Sequence, residues 1–350
     1  MPIFTQEQLN RISTEIFEAA SVPPEEAQII SELLVDANLV GHDSHGVIRI
    51  PQYIKRLRNG DIQPGAPMDI ERDSPSHAVI NGNWGFGQVI AKKAMSLAIR
   101  KAQSSVISAV SIYDCNHIGR LASYTMMAAD HGLIGITMLN AGGAALSVAA
   151  FGGINRRLGT NPISVAVPAG DADSIVLDIT SSVVAQGKID VAVNRGDSVP
   201  LGWLIDSTGE PTTDPRDFDS PSPGSILPLG GLAGHKGFGL GLIIDVLAGT
   251  LSGSGCSGSN NTRVCNATLM IVIDIAKFIP LEDYDRHIDK LVTFMKCSQL
   301  APGFDEVLMP GETESRQKQQ RLSEGIPVDD ETWRQIQESA ANVGISQLKY

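Results

Sequence analysis

Between about residue 74 and residue 282 the chain changes its hydrophobic period repeatedly, and this alternation narrows the possible folds more than any other feature. Short apolar runs at 78–80, 106–110, 134–138, 163–167, 175–179 and 269–275 read as strands. Segments 90–101 and 120–131 carry helical spacing between them, and 237–251 reads as an apolar, glycine-rich helix. Both ends of the chain are helical instead. Thr5 with Gln8 forms a capping box ahead of Leu9, Ile12, Ile16 and Phe17. Pro23-Pro24-Glu25-Glu26 opens a second helix, with acidic groups suited to its positive end. A third is expected over 47–57, closed by Asn59-Gly60, and charged amphipathic helix returns from 283, as at 330–341. The reading is an α/β (α+β) fold. A mixed-sheet domain spans 74–282, and a helical domain is built from 1–73 plus 283–350.

Composition removes several function classes. Lys+Arg is 27 and Asp+Glu is 39, a net charge of 27 − 39 = −12, which disfavours nucleic acid and anionic lipid unless a basic patch overrides it. The tightest basic cluster, Lys55-Arg56-Leu57-Arg58, fits the solvent face of a helix. No run of 18 apolar residues occurs, Asp245 and Asp274 break the longest, and the first residues lack a signal-peptide pattern. A cytoplasmic protein that does not engage a membrane is expected. Four scattered cysteines (Cys115, Cys256, Cys265, Cys297) make neither a disulfide framework nor a zinc ribbon. Asn260-Asn261-Thr262 and Asn266-Ala267-Thr268 read as chance matches to the glycosylation pattern.

Two nucleotide signatures fail. Gly85-Phe86-Gly87 and Gly239-Leu240-Gly241 lack the third glycine of a dinucleotide fingerprint, and Gly234-His235-Lys236-Gly237 is no P-loop. His42 and His45 lack a third ligand nearby, so no metal site is expected. The glycine pairs Gly142-Gly143, Gly152-Gly153 and Gly230-Gly231 suit either turns or a close ligand approach.

Other segments carry chemistry. In Ser44-His45-Gly46 with Arg49, an imidazole can move a proton near neutral pH and a guanidinium can grip a carboxylate. With a helix starting near His45, Arg49 shares its face. Asn116-His117-Ile118-Gly119-Arg120 follows a strand and opens a helix, where free N–H groups bind anions. Gly159-Thr160-Asn161-Pro162 leads into a strand, and Asp178-Ile179-Thr180-Ser181 ends one. Gly234-His235-Lys236-Gly237 puts a cation at a helix N-terminus, which a bound anion would explain.

Taken in order, with Gly187-Lys188, Pro211-Thr212-Thr213-Asp214-Pro215 and Pro310-Gly311-Glu312, these segments resemble the malate/L-lactate dehydrogenase family that lacks a Rossmann fold. The likeness runs from the first helix to about Glu312. It implies hydride transfer between a nicotinamide cofactor and C2 of a small 2-oxo or 2-hydroxy acid. His45 would be the acid/base with Ser44 orienting it, or His117 in one branch. Arg49 and Thr160 would bind the substrate carboxylate. His117, Ile118, Gly119, Arg120 and Leu121 would face the cofactor; Asp178, Ile179 and Thr180 would hold its adenosine side and Lys236 its phosphates. Pro310, Gly311 and Glu312 would close the site at the boundary of a homodimer. NAD is favoured over NADP, for want of a nearby arginine pair. Ala141 and Gln186 depart from the family pattern, and Gln186 lies where the substrate class is set. A cyclic imine reductase is the alternative, and a non-catalytic metabolite-binding descendant a more distant one.

Overall fold

The structure is a computed structural model and describes every residue except 143–144, 171, 260–262 and 349–350. Gly143 of the first glycine pair and the Asn260-Asn261-Thr262 segment lie outside the described residues.

Ten helices are described: α1 Gln6–Ala19, α2 Pro24–Leu39, α3 Ile50–Arg58, α4 Gly87–Ser105, α5 Ala122–Ala129, α6 Gln186–Arg195, α7 Gly234–Ile244, α8 Leu281–Lys296, α9 Glu312–Glu324 and α10 Asp330–Asn342. The capping box forms as read: Gln8 N–H donates to Thr5 Oγ1 at 3.2 Å, and Thr5 N–H donates to Gln8 Oε1 at 2.8 Å. The apolar stripes of α1, α2, α3 and α10 meet in one core around Leu9, Ile16, Phe17, Ile30, Tyr53 and Trp333. A two-residue antiparallel pairing of Ile3–Phe4 with Ile326–Pro327 zips the chain's ends beside it. α8 falls within the segment expected to join these helices, yet it lies against the sheet, with Tyr284 Oη donating to Pro168 O at 3.1 Å. None of its residues is buried.

The main sheet has seven strands: β1 Asp69–Asp73, β2 His77–Asn81, β3 Ile107–Tyr113, β4 Leu133–Gly142, β5 Ile163–Ala169, β6 Ala172–Ile179 and β7 Cys265–Asp274. Their spatial order is β1-β2-β3-β7-β4-β5-β6. Only β2 and β3 run parallel. A doubly wound dinucleotide fold needs a largely parallel sheet, so this topology agrees with the missing fingerprint. β7 threads between β3 and β4, with Thr268 opposite both Ile112 and Leu139. α4 and α5 cover one face. α7, with the turn of π-helix Asp245–Thr250 that follows it, covers the other. By length and apolarity 231–250 passes as a membrane span, but its Asp245 is buried and accepts hydrogen bonds from Asn161 at 3.1 Å and the Ser257 amide at 2.7 Å.

A second sheet of five very short strands, from Val148–Ala149 to Ser225–Ile226, packs over its own core of Leu158, Val184, Ile189, Leu204 and Phe218. Its strands have two or three residues each, too short for a period to show in the sequence, and the ten-residue α6 between them was not read either. Asn266 is buried and accepts from the Ile118 amide at 3.1 Å, which leaves no room for a glycan there.

Phe86 couples the two halves of the molecule. It is fully buried at the start of α4, edge-on to Phe17 at 5.9 Å and to Tyr53 at 6.2 Å between centroids. Phe86→Ala is expected to cost about 3–5 kcal/mol, read as a lowered midpoint in chemical denaturation.

Candidate active site

Asn38, near the end of α2, shapes the turn that carries the first candidate residues. Its Oδ1 accepts from the Val47 amide and its Nδ2 donates to Asp43 Oδ1, each at 2.8 Å. A Cβ on Gly46 would fall 2.1 Å from Asn38 Oδ1, so only glycine fits beneath that clamp. The chain makes two 3₁₀ turns here, Asp43–His45 and Val47–Arg49, separated by extended backbone at Gly46. The expectation of one helix carrying both His45 and Arg49 is therefore corrected. Pro51 in the first turn of α3 starts the regular helix at Ile50 rather than Val47. Arg49 still reaches the same place by folding back: its Nε donates to Ser44 O at 2.7 Å and its Nη1 to Gln52 Oε1 at 3.1 Å.

His45 and His117 come together, from segments 72 residues apart, with rings stacked at 5.5 Å and 27°. Ser44 Oγ lies 3.0 Å from His45 Nδ1. His117 Nδ1 lies 2.6 Å from the hydroxyl of buried Tyr53, and Gln88 Nε2 donates to that same hydroxyl at 2.7 Å. With Gln88 donating into Tyr53 and Tyr53 into His117, the His117 proton sits on Nε2. Burial pushes the Tyr53 hydroxyl up to about 12, so it stays a donor. Burial, then Arg49, hold both imidazoles neutral: His45 is lowered to about 3 and His117 well below its ordinary value.

Around this pair lies a cleft of 590 Å³ between the terminal helices, the end of the main sheet and the small sheet. Arg49, Thr160, Gly119, Arg120, Leu121, Asp178, Ile179 and Thr180 line it with Ser44, His45 and His117. Ile118 does not. Its side chain is buried in the sheet core, because its amide is tied to Asn266 and its carbonyl accepts from Tyr124. The N-terminus of α5 is not open to an anion either: the Ala122 amide already donates to Asp178 Oδ2 at 2.9 Å. Arg120 lies 3.3 Å from Asp36 and 3.9 Å from Asp178, so its charge is answered within the protein.

Four expected residues lie outside this cleft. Lys236 is exposed in the first turn of α7. Pro310, Gly311 and Glu312 pack on β6 instead: Pro310 O accepts from the Val176 amide at 2.9 Å, and Glu312 pairs with Lys296. Of the glycine pairs, Gly152, Gly230 and Gly231 take positive φ in turns, and none of the three lines the cleft.

The sequence reading missed Gln52, Tyr53 and Arg56. Arg56 was assigned to a solvent face, but it is half-buried and lines the cleft. The signal was present: 49, 52, 53 and 56 are spaced i, i+3, i+4, i+7, one face of α3. Gly187 was noted only as part of a motif. A Cβ there would fall 2.5 Å from Arg49 Nη2, so α6 packs its first turn directly on that guanidinium.

Burial and Arg49 disfavour protonation of His45, and this links to stability. His45 titrates at about 3 when folded and near 6.5 when unfolded, so the unfolded chain binds the extra proton between those values. Stability tied to His45 is present above pH 6.5 and is lost as pH falls toward 3, by at most about 1.4 kcal/mol per pH unit. His45→Gln is expected to show a smaller stability loss between pH 7 and pH 5 than the native chain in urea titrations.

The model of the malate/L-lactate dehydrogenase family matches residues 4–337. The malate dehydrogenase of Pyrococcus abyssi is 38% identical over 337 residues, 93% of this chain and 91% of that one. The L-sulfolactate dehydrogenase of Methanocaldococcus jannaschii is 37% identical over 349 residues, 98% of each. The solved structure of malate dehydrogenase from Pyrococcus horikoshii OT3 superposes with a TM-score of 0.90 at 34% identity, covering 99% of this chain and 97% of that one. With the whole fold shared as well as the sequence, this chain belongs to the malate/L-lactate dehydrogenase family.

Proposed function

We propose that this chain is a nicotinamide-dependent dehydrogenase that interconverts small 2-oxo and 2-hydroxy acids. The observation that carries the reading is the convergence of two neutral imidazoles on a guanidinium with no carboxylate partner. Arg49 makes no ion pair among the described residues, and its remaining N–H groups suit a bidentate carboxylate. The dehydrogenase activities of the relatives favour an oxo acid over a cyclic imine, and the retained His45, Ser44 and Arg49 argue against a non-catalytic descendant.

The cleft suits a nicotinamide cofactor. It has the volume, a largely apolar wall at Gly119, Leu121 and Ile179 with the Thr180 hydroxyl beside it, and an acid, Asp178, of the kind that accepts a ribose hydroxyl. Arg120 is occupied by Asp36 and Asp178, which among the described residues leaves it unavailable to a 2′-phosphate and supports NAD. The bound cofactor supplies or accepts the hydride at C2. Arg49 holds the carboxylate so that C2 and its oxygen face the imidazoles, with Thr160 on the same wall. His45 exchanges the proton with the C2 oxygen: it takes it when hydroxy acid is oxidised and returns it when oxo acid is reduced. Ser44 holds His45 through Nδ1, and the Nε2–H of His117 is available to polarise the oxygen.

The charge balance gives the pH dependence. Arg49 helps to keep His45 unprotonated, and a substrate carboxylate on Arg49 cancels that effect, so oxo acid binds together with a proton. kcat/KM for oxo acid reduction is expected to fall with rising pH by up to about tenfold per unit, while hydroxy acid oxidation rises. A spectrophotometric panel of NADH and NADPH with pyruvate, oxaloacetate, sulfopyruvate and a cyclic imine acid tests the reading. Turnover of the imine alone would replace it, and a flat pH profile in His117→Asn but not His45→Asn would move the acid/base to His117.

Gly187→Ala separates binding from folding. Alanine suits a helix better by up to about 1 kcal/mol, but its methyl displaces the Arg49 guanidinium. KM for the oxo acid is expected to rise about tenfold or more, with the denaturation midpoint nearly unchanged.

The cytoplasm fits the acidic composition and the small-acid substrate. A homodimer fits the apolar surface left on one protomer, where Leu232 is fully exposed and Phe294 of α8 is 72% exposed. It also fits Lys236, Pro310, Gly311 and Glu312 standing outside the cleft of their own protomer. Light scattering behind size exclusion is expected to give twice the 37.2 kDa chain mass.

A further inference from the structure

The cleft contains a second guanidinium with no acid paired to it. Arg56 lies within α3, seven residues after Arg49, the residue that caps that helix. One of its N–H groups donates to Val264 O at 3.3 Å, and among the described residues it forms no ion pair. Asp61 acts on it through space without reaching that distance, and it is close enough to His117 to help hold that imidazole neutral.

The other cations of the cleft are differently placed. Arg120 is held by two carboxylates. Arg156 donates to Gly224 O and Phe218 O and stacks over the Phe218 ring at 4.0 Å, so it spends its donors on the small sheet. Lys188 is exposed at the start of α6, where water already solvates its ammonium. Among the described residues, only Arg49 and Arg56 combine partial burial, a place in the cleft and donors left unsatisfied by carboxylate. A half-buried guanidinium without a counter-ion loses hydration and gains nothing in return. An anionic ligand would offset that loss.

We propose that Arg56 binds a second acidic group on the substrate, so that the preferred oxo acid is a dianion with a carboxylate or sulfonate beyond C2. This rests on the oxo acid reading above, with Arg49 taking the first carboxylate. The two arginines, one at the cap of α3 and one within it, then measure the spacing of the two acids, and a substrate ending in a methyl group leaves Arg56 unanswered. Burial lowers the Arg56 guanidinium from its ordinary value, in line with that want of a partner.

The test compares the native chain with Arg56→Gln, Arg56→Lys and Lys188→Gln on oxaloacetate, sulfopyruvate and pyruvate. In Arg56→Gln, kcat/KM for the two dianions is expected to fall about 10- to 100-fold through KM. Pyruvate should change less than about threefold, and KM for the cofactor should hold. Arg56→Lys recovers part of the dianion loss, because charge returns without the fork. A parallel loss for all three acids with a raised cofactor KM would assign Arg56 to a cofactor phosphate and overturn the proposal. Dianion loss in Lys188→Gln but not Arg56→Gln would overturn it too.

A calorimetric titration with malonate and with acetate reads the same site without turnover. Malonate is expected to weaken about tenfold or more in Arg56→Gln while acetate is unchanged. Equal malonate affinity in both proteins overturns the second anion site. Arg56-dependent malonate binding in a protein that turns over no oxo acid would overturn the dehydrogenase reading and leave the site standing.

Discussion

The side chain of Asn38 sets the active-site turn. One amide group bonds Asp43 on one side of Gly46 and Val47 on the other, and its backbone carbonyl accepts from Arg321 of α9. Arg321 also pairs with Asp43. The turn that carries Ser44, His45 and Arg49 is thus tied both to α2 beneath it and to a helix nearly 280 residues later. Catalysis by positioning needs such rigidity, since a small misplacement of an acid/base group is costly in rate.

The second principle of the site is charge without water. Stacked, buried imidazoles would repel one another if both were protonated, and Arg49 beside them adds to that cost. Burial and Arg49 resolve this by leaving both neutral. On the proposed function, a substrate carboxylate would reverse the balance at one point, the guanidinium, and make the imidazole nearby easier to protonate. Substrate binding and proton supply would then be coupled through charge.

How much of this was legible in the sequence differs by element. The long strands declared themselves, because β4, β5 and β7 are apolar runs that a central sheet position demands. The short strands of the second sheet did not, since two residues carry no period. His45, Arg49, His117, Thr160 and Asp178, singled out from separate motifs, line one cleft. Ile118 does not: a run of consecutive residues cannot all face one cavity, and here Gly119 and Leu121 turn inward while Ile118 fills the sheet core. Arg56 was misread from its local company, Lys55 and Arg58, although its phase on α3 matched Arg49.

The class of fold, the family and the candidate groups for its chemistry were legible in the sequence, because these depend on local periodicity and on ordered motifs. Tertiary structure alone decided which side chains share a space. It stacked His117 on His45 across 72 residues, put Tyr53 and Gln88 behind His117, and set Gly187 against Arg49. It also left Arg49 and Arg56 without carboxylates while pairing Arg120 and Arg321. Burial and pairing are properties of an environment assembled from distant segments, and a residue's charge state in the cleft follows from that environment rather than from its neighbours along the chain.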